Sequence, residues 1–209
     1  MIVWILLLIL IVGIFIAYSI YKFEDSQFSN MTGYSFLDIW KDKTVRHTYK
    51  VVSTLRKASG DFKILTNLHI PVSTNKEKII DIVFLHESGI YLINISKEDG
   101  WVYGRETDNE WTIATYGDKK EAVKNPLTDH QNIIAVFSKI FPQIQEESIY
   151  SLAVFSENSS FKMIELYSKN VDVLKLSELK NYWDHKDSTI TKTEIETIAQ
   201  SLSKLIKQI

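Results

Sequence analysis

One carboxylate stands where an apolar strand should carry none. Asp81 sits inside Ile79-Ile80-Asp81-Ile82-Val83-Phe84. A charge there costs free energy unless a metal, a base or a hydrogen-bond donor pairs with it. The plainer alternative is a strand residue that faces solvent or takes a backbone hydrogen bond. Side chains alternate along a strand, so Ile79, Asp81 and Val83 share one face. In the following run Leu92, Asn94 and Ser96 share one face in the same way. If the turn His86-Glu87-Ser88-Gly89 pairs the two runs, Asp81, Asn94 and Ser96 form a small polar cluster. The same alternation would equally mark a wet face.

Neighbouring groups extend the cluster only under conditions. Lys97 has the opposite parity to Asn94 and Ser96 unless a bulge intervenes. Glu98 has the right parity but falls beyond the expected strand end, with Asp99 after it. Asp129 joins only if its helix approaches the same sheet. The histidines His47, His69, His86, His130 and His185 lack ligand spacing and read as surface or capping residues.

Whole classes of chemistry drop out. The chain has no cysteine, which excludes a disulfide framework, a thiolate–zinc site, a cysteine nucleophile and a cysteine-linked lipid anchor. No glycine-rich dinucleotide fingerprint, phosphate-binding loop, serine elbow or paired-histidine zinc helix occurs. With 24 Lys+Arg against 26 Asp+Glu and a net charge of -2, no global basic excess marks a nucleic-acid or anionic-lipid binder. Lys50, Arg56, Lys57, Lys119, Lys120 and Lys124 remain as candidates for a local basic groove.

The elements that must position Asp81 follow from periodicity. Val45, Tyr49, Val52 and Leu55 recur at helical spacing over 44–55, and Ser59-Gly60 closes that helix. Strands are expected at 62–70 (bounded by Pro71), 78–86 and 90–96, then a hairpin from 101–104 and 110–115. Asn125-Pro126 reads as the cap and first turn of a helix with the stripe Ile133, Ile134, Phe137, Ile140 and Phe141. Strands at 148–155 and 170–176 precede a short helix through Tyr182. Thr191-Lys192-Thr193-Glu194 is a capping box opening a last helix striped by Ile195, Ile198, Ala199, Leu202, Leu205, Ile206 and Ile209. The expected fold class is mixed α/β, a central sheet flanked by helices.

Ahead of this body lies Ile2–Tyr21, twenty residues without a charge. A helix of that length spans about 30 Å, the thickness of bilayer hydrocarbon. Trp4 lies near one end, and Tyr18, Tyr21 and Phe23 lie near the other, as interfacial aromatics do. No Lys or Arg precedes the run, which argues against a cleaved signal peptide, although Ala17 and Ser19 resemble a weak cleavage pair. Lys22, Lys41, Lys43 and Arg46 all follow it, so the positive-inside bias places the body in the cytoplasm. The expected organisation is a single-pass anchor at 1–22, a juxtamembrane spacer at 23–43 with a short helix near Phe36–Trp40, and one domain at 44–209.

Several stretches, in order, resemble the nuclease-related domain (NERD) family, whose fold is of the restriction-endonuclease type. They are IIDIVFL at 79–85, GIYLINISKEDGWVYG at 89–104, NEWT at 109–112, NPL at 125–127 and VFS at 154–156. The resemblance implies a site with an Asp on one strand, a Glu-x-Lys on the next and a Glu from the first helix. Together these hold a divalent metal against a phosphodiester. Asp81 matches the Asp and would be the metal ligand. Asn94 stands at the Glu position, Ser96 at the Lys position and Thr48 at the helix carboxylate. Asp129 stands where a Gln often follows NPL. The resemblance therefore implies a degenerate site that binds nucleic acid or a protein partner and takes no cofactor. The alternatives are an active nuclease using Mg²⁺ and a purely structural membrane-tethered module.

Overall fold

Two kinds of apolar run dominate the body, and they segregate into a sheet and its covering helices. The computed structural model describes residues 2–73, 76–115 and 119–206; Ile209, at the end of the last expected stripe, lies outside them. Helices α1 (Ile2–Glu24), α2 (Gln27–Thr32), α3 (Phe36–Lys41) and α4 (Lys43–Leu55) come first. Strands β1 (Phe62–Ser73), β2 (Lys76–His86), β3 (Gly89–Ile95), β4 (Gly100–Arg105), β5 (Glu110–Ala114) and β6 (Lys120–Lys124) follow. Then come α5 (His130–Ile140), β7 (Ile149–Phe155), β8 (Ser159–Glu165), β9 (Val171–Lys175), α6 (Leu176–Leu179) and α7 (Lys192–Ser203).

The larger sheet has the order β1-β2-β3-β7-β9, antiparallel through β3 and parallel beyond it. A smaller sheet, β6-β5-β4-β8, lies beside it. Its strands β6 and β8 carry no clear period in the sequence and are additions to the expected hairpin. The body is mixed α/β, as expected, with its strands divided between two sheets.

Three apolar clusters hold these layers together. One joins Val83, Leu85, Ile90 and Leu92 to Ile133, Ile134 and Phe137 of α5 and Ile195, Ile198 and Leu202 of α7. The capping box at Thr191 forms as expected, its hydroxyl taking the Glu194 N–H. A second cluster joins Ile82, Phe84, Tyr91 and Ile93 to α4 and to Trp183. A third, between the sheets, contains Val102, Trp111, Leu127, Ala153 and Phe155.

Two sequence expectations need correction. The helix expected from Asn125 begins only at His130, with Asp129 in a left-handed conformation at its cap. Asn125 instead organises a turn: its amide donates to the Glu106 and Asp108 carbonyls and its Oδ1 accepts the Leu127 N–H. Ile140, counted in the buried stripe, is exposed at the last residue of α5. The stretch 23–43, expected as a spacer with a short helix near Phe36–Trp40, carries α2 and α3 and packs on the body. Phe23 and Phe28 are buried, and the Phe23 ring packs on Phe28, Phe36 and Tyr49 at 5.9, 5.7 and 5.6 Å.

The N-terminal helix α1 meets the body through Phe23 at its C-terminal end. It is long and apolar enough to cross a membrane, and Trp4, Ile9, Leu10, Ile14 and Phe15 are exposed along it.

Candidate functional site

The strands β2 and β3 part at Asp81. They pair from His86↔Gly89 to Ile82↔Ile93 and then stop. Beyond that pair Asp81 Oδ2 accepts the Ile95 N–H at 2.7 Å, so the carboxylate stands in for a ladder acceptor. On its other side β2 pairs with β1 through Thr66↔Ile82 and Leu68↔Ile80, and Asn67 between them has φ 54°. This irregularity breaks strict alternation. Ile80 joins Val83 in one apolar cluster although they lie three residues apart, and Ile79 is exposed rather than sharing the Val83 face.

A cleft of about 540 Å³ opens at this split, and Asp81, Asn94 and Ser96 all line it. Thr48 does not join them: its hydroxyl bonds back to the Thr44 carbonyl, and Thr44, one turn earlier on α4, lines the cleft instead. Lys97 and Glu98 do line it. Because β3 ends at Ile95, the parity argument against Lys97 no longer applies. Asp129 lines a different cavity, and Asp99 is held by Lys43 at 2.8 Å and by the Ser156 hydroxyl.

Burial pushes the Asp81 carboxyl above the usual aspartate range, while the Ile95 N–H and the nearby Lys78 charge oppose that shift. Lys78 is itself tied to the Thr128 carbonyl at 2.9 Å. A raised carboxyl pKa means that the folded state binds the proton more tightly, so stability falls as pH rises through the window between the ordinary and the raised values. Asp81→Asn removes that cost and leaves an amide oxygen for Ile95. We expect this variant to melt at or above the wild-type temperature at neutral pH. The difference should close as pH falls below the ordinary aspartate range. Asp81→Ala, which strands the Ile95 N–H, should melt lower at every pH. Thermal melts of the three chains across pH check this.

Of the histidines, His47, His86 and His130 are buried rather than surface groups. His86 contacts Ser88 Oγ at 2.7 Å and the Ser59 carbonyl at 2.8 Å. His130 Nε2 lies 3.0 Å from Glu106 Oε1. Glu106, which sequence reasoning passed over inside a polar turn, is buried and accepts the Tyr167 and Ser168 N–H groups at 2.6 and 2.9 Å. Burial raises its pKa, but hydrogen bonds from Ser168 and Tyr167 and the His130 charge outweigh that and hold it below the usual glutamate range. Its oxygens are occupied in tying β4 to the 165–168 loop, which is structural work.

A family model described as "Nuclease-related domain" matches residues 43–156. The chain belongs to the nuclease-related domain family. The NERD match begins at α4 and ends just past β7, so every cleft residue from Thr44 to Pro126 falls within it. The chain is also similar to an uncharacterized protein of Bacillus anthracis, 26% identical over 165 residues that cover 78% of this chain and 76% of that one. No solved structure matches.

Metal binding is the chemistry the NERD resemblance implies, and the positions it names supply one carboxylate, Asp81. A hard divalent cation wants anionic oxygens. At the sheet the cleft offers Asp81, already accepting from Ile95, beside a neutral amide and a hydroxyl, and Glu77 and Glu98 line the cleft as well. Among the described residues, no three His, Cys, Asp or Glu side chains converge.

Proposed function

We propose that this chain is a membrane-tethered NERD protein whose cleft binds a protein partner and does not hydrolyse phosphodiesters. The observation that carries the reading is the composition of the cleft where β2 and β3 part. Asp81 is retained there, while Asn94 and Ser96 hold the positions of the second carboxylate and the lysine. Removing even one preorganised electrostatic group typically costs about 10²–10³ in rate. A scaffold that lacks two can keep its fold and its binding surface.

Charge separates the two classes of ligand. A polyanion wants an unbroken basic stripe. The six basic candidates scatter instead: Lys124 lines the Asp81 cleft, Lys50 a second cavity and Arg56 a third. Within the cleft Lys78, Lys97 and Lys124 are matched by Glu77, Asp81 and Glu98. A mixed surface of this kind suits a protein.

One observation favours a second reading. Lys97 and Glu98 line the same cleft as Asp81, so an active site with displaced partners has its residue types at hand. The test is incubation of the detergent-solubilised full chain with single- and double-stranded DNA and RNA in Mg²⁺ or Mn²⁺. We expect no cleavage above that of the Asp81→Ala chain. Cleavage that disappears in Asp81→Ala would replace this reading with the active nuclease.

The tether is supported by α1, whose run carries no charge from Ile2 to Tyr21. The basic residues that follow it support a cytoplasmic body.

A further inference from the structure

We infer that helix α3 lies in the lipid headgroup layer and presses Leu37 and Trp40 onto the membrane surface. This rests on α1 spanning the bilayer as proposed above. Leu37 and Trp40 stand three residues apart on α3, so they share one helical face. They are 55% and 72% exposed, which is unusual for a leucine and a tryptophan beside each other on a folded body.

Their place relative to α1 decides what covers them. The Phe36 ring packs edge-on against Phe23 at 5.7 Å. Phe23 follows directly on the uncharged run and on Lys22. From Phe36 to Trp40 the helix advances about 6 Å. The headgroup layer on each side of a bilayer is about 5–8 Å thick. The Phe23–Phe36 contact keeps α3 at the membrane end of α1, and with α3 lying along the surface both Trp40 and Leu37 fall within that layer. An indole with an apolar body and one N–H is suited to this zone.

The patch is preformed. Arg46 of α4 donates Nε to the Ile39 carbonyl at 2.9 Å and Nη2 to the Trp40 carbonyl at 2.8 Å, which clamps the C-terminal turn of α3. The acids on this corner are engaged in capping: Asp38 accepts from Ser35, and Asp42 accepts the Thr44 N–H. Lys22, Lys41, Lys43 and Arg46 are balanced by Glu24, Asp25, Asp38 and Asp42. The contact is thus apolar insertion rather than attraction to anionic lipid. The consequence for function is that the body is held in a fixed pose on the membrane instead of swinging on a spacer.

The full chain carrying Trp4→Phe, which removes the indole within the anchor, is reconstituted into phosphatidylcholine vesicles whose acyl chains are brominated near the glycerol. We expect Trp emission to be quenched relative to unbrominated vesicles, and equally so when phosphatidylglycerol is added. The quenching should vanish in Trp4→Phe/Trp40→Phe. A carbonate-resistant chain whose emission ignores the bromolipid, with aqueous iodide quenching that Trp4→Phe/Trp40→Phe reduces, would overturn the lipid-facing role of α3 and leave the anchor standing. A chain released by carbonate would overturn the anchor and α3 with it.

Discussion

Trp111→Ala should cost about 3–5 kcal/mol of stability, the usual toll for emptying a large aromatic site. Trp111 is 1% exposed at the centre of the cluster that joins the two sheets. Its ring lies parallel to Phe155 of the larger sheet at 6.2 Å. Its Nε1 donates to the Arg105 carbonyl at 2.8 Å. The truncation removes the stack and one of the hydrogen bonds to that carbonyl, and rigid strands on both sides limit collapse into the void. A β-carbon on Gly104 would come within 2.3 Å of the indole, so the site cannot be enlarged either. Against a total of about 5–15 kcal/mol for a typical domain, the loss is large. It should lower the melting temperature of the detergent-solubilised chain by on the order of 10 °C. A melting temperature unchanged from wild type would mean that the smaller sheet is not held through Trp111.

Deleting residues 2–22 should move the chain completely from the carbonate-resistant membrane pellet to the supernatant. Each Leu, Ile, Phe or Val at the centre of a spanning helix contributes about −0.3 to −0.6 kcal/mol to insertion, and this run has no charge to oppose the sum. The deletion leaves Phe23 in place, so the aromatic contacts with Phe28, Phe36 and Tyr49 survive and the body keeps its corner. Fractionation by immunoblot reads the result. A shortened chain that still pellets would place the membrane attachment in the body, and a full chain already in the supernatant would remove the anchor.

How much of this was legible in the residues depends on what each inference rested on. The β2–β3 hairpin carries its own register from His86↔Gly89 to Ile82↔Ile93, because a two-residue turn and apolar alternation agree there, and Asp81 and Asn94 follow directly on its last pair. The family likewise shows in the ordered short stretches. The site's edges were less legible. Thr48 was assigned by resemblance alone, and the helical phase puts Thr44 at the cleft. Lys97 was turned away by a parity rule that ends with the strand at Ile95. The break of alternation at Ile80 lies opposite the left-handed Asn67 of the neighbouring strand, which no local pattern around Asp81 carries. Asn125 followed by Pro126 has the composition of a helix cap, but the carbonyls of the β4–β5 turn compete for its amide and win. Strands β6 and β8 owe their existence to pairing across the sheet and not to any period of their own. Glu106 looked like one more acid in a turn, since burial by the distant Tyr167–Ser168 loop leaves no mark in the nearby sequence.

We propose that the Asp81 cleft holds no divalent metal, and titration calorimetry tests this without depending on a substrate. Mn²⁺ is titrated into the detergent-solubilised full chain at neutral pH, in parallel with Asp81→Asn. Asn94 and Ser96 add no negative charge, and the Asp81 carboxylate already serves the Ile95 N–H. The two chains should give the same heats, with no saturable binding that depends on Asp81. Stoichiometric Mn²⁺ binding that Asp81→Asn abolishes would contradict the proposal.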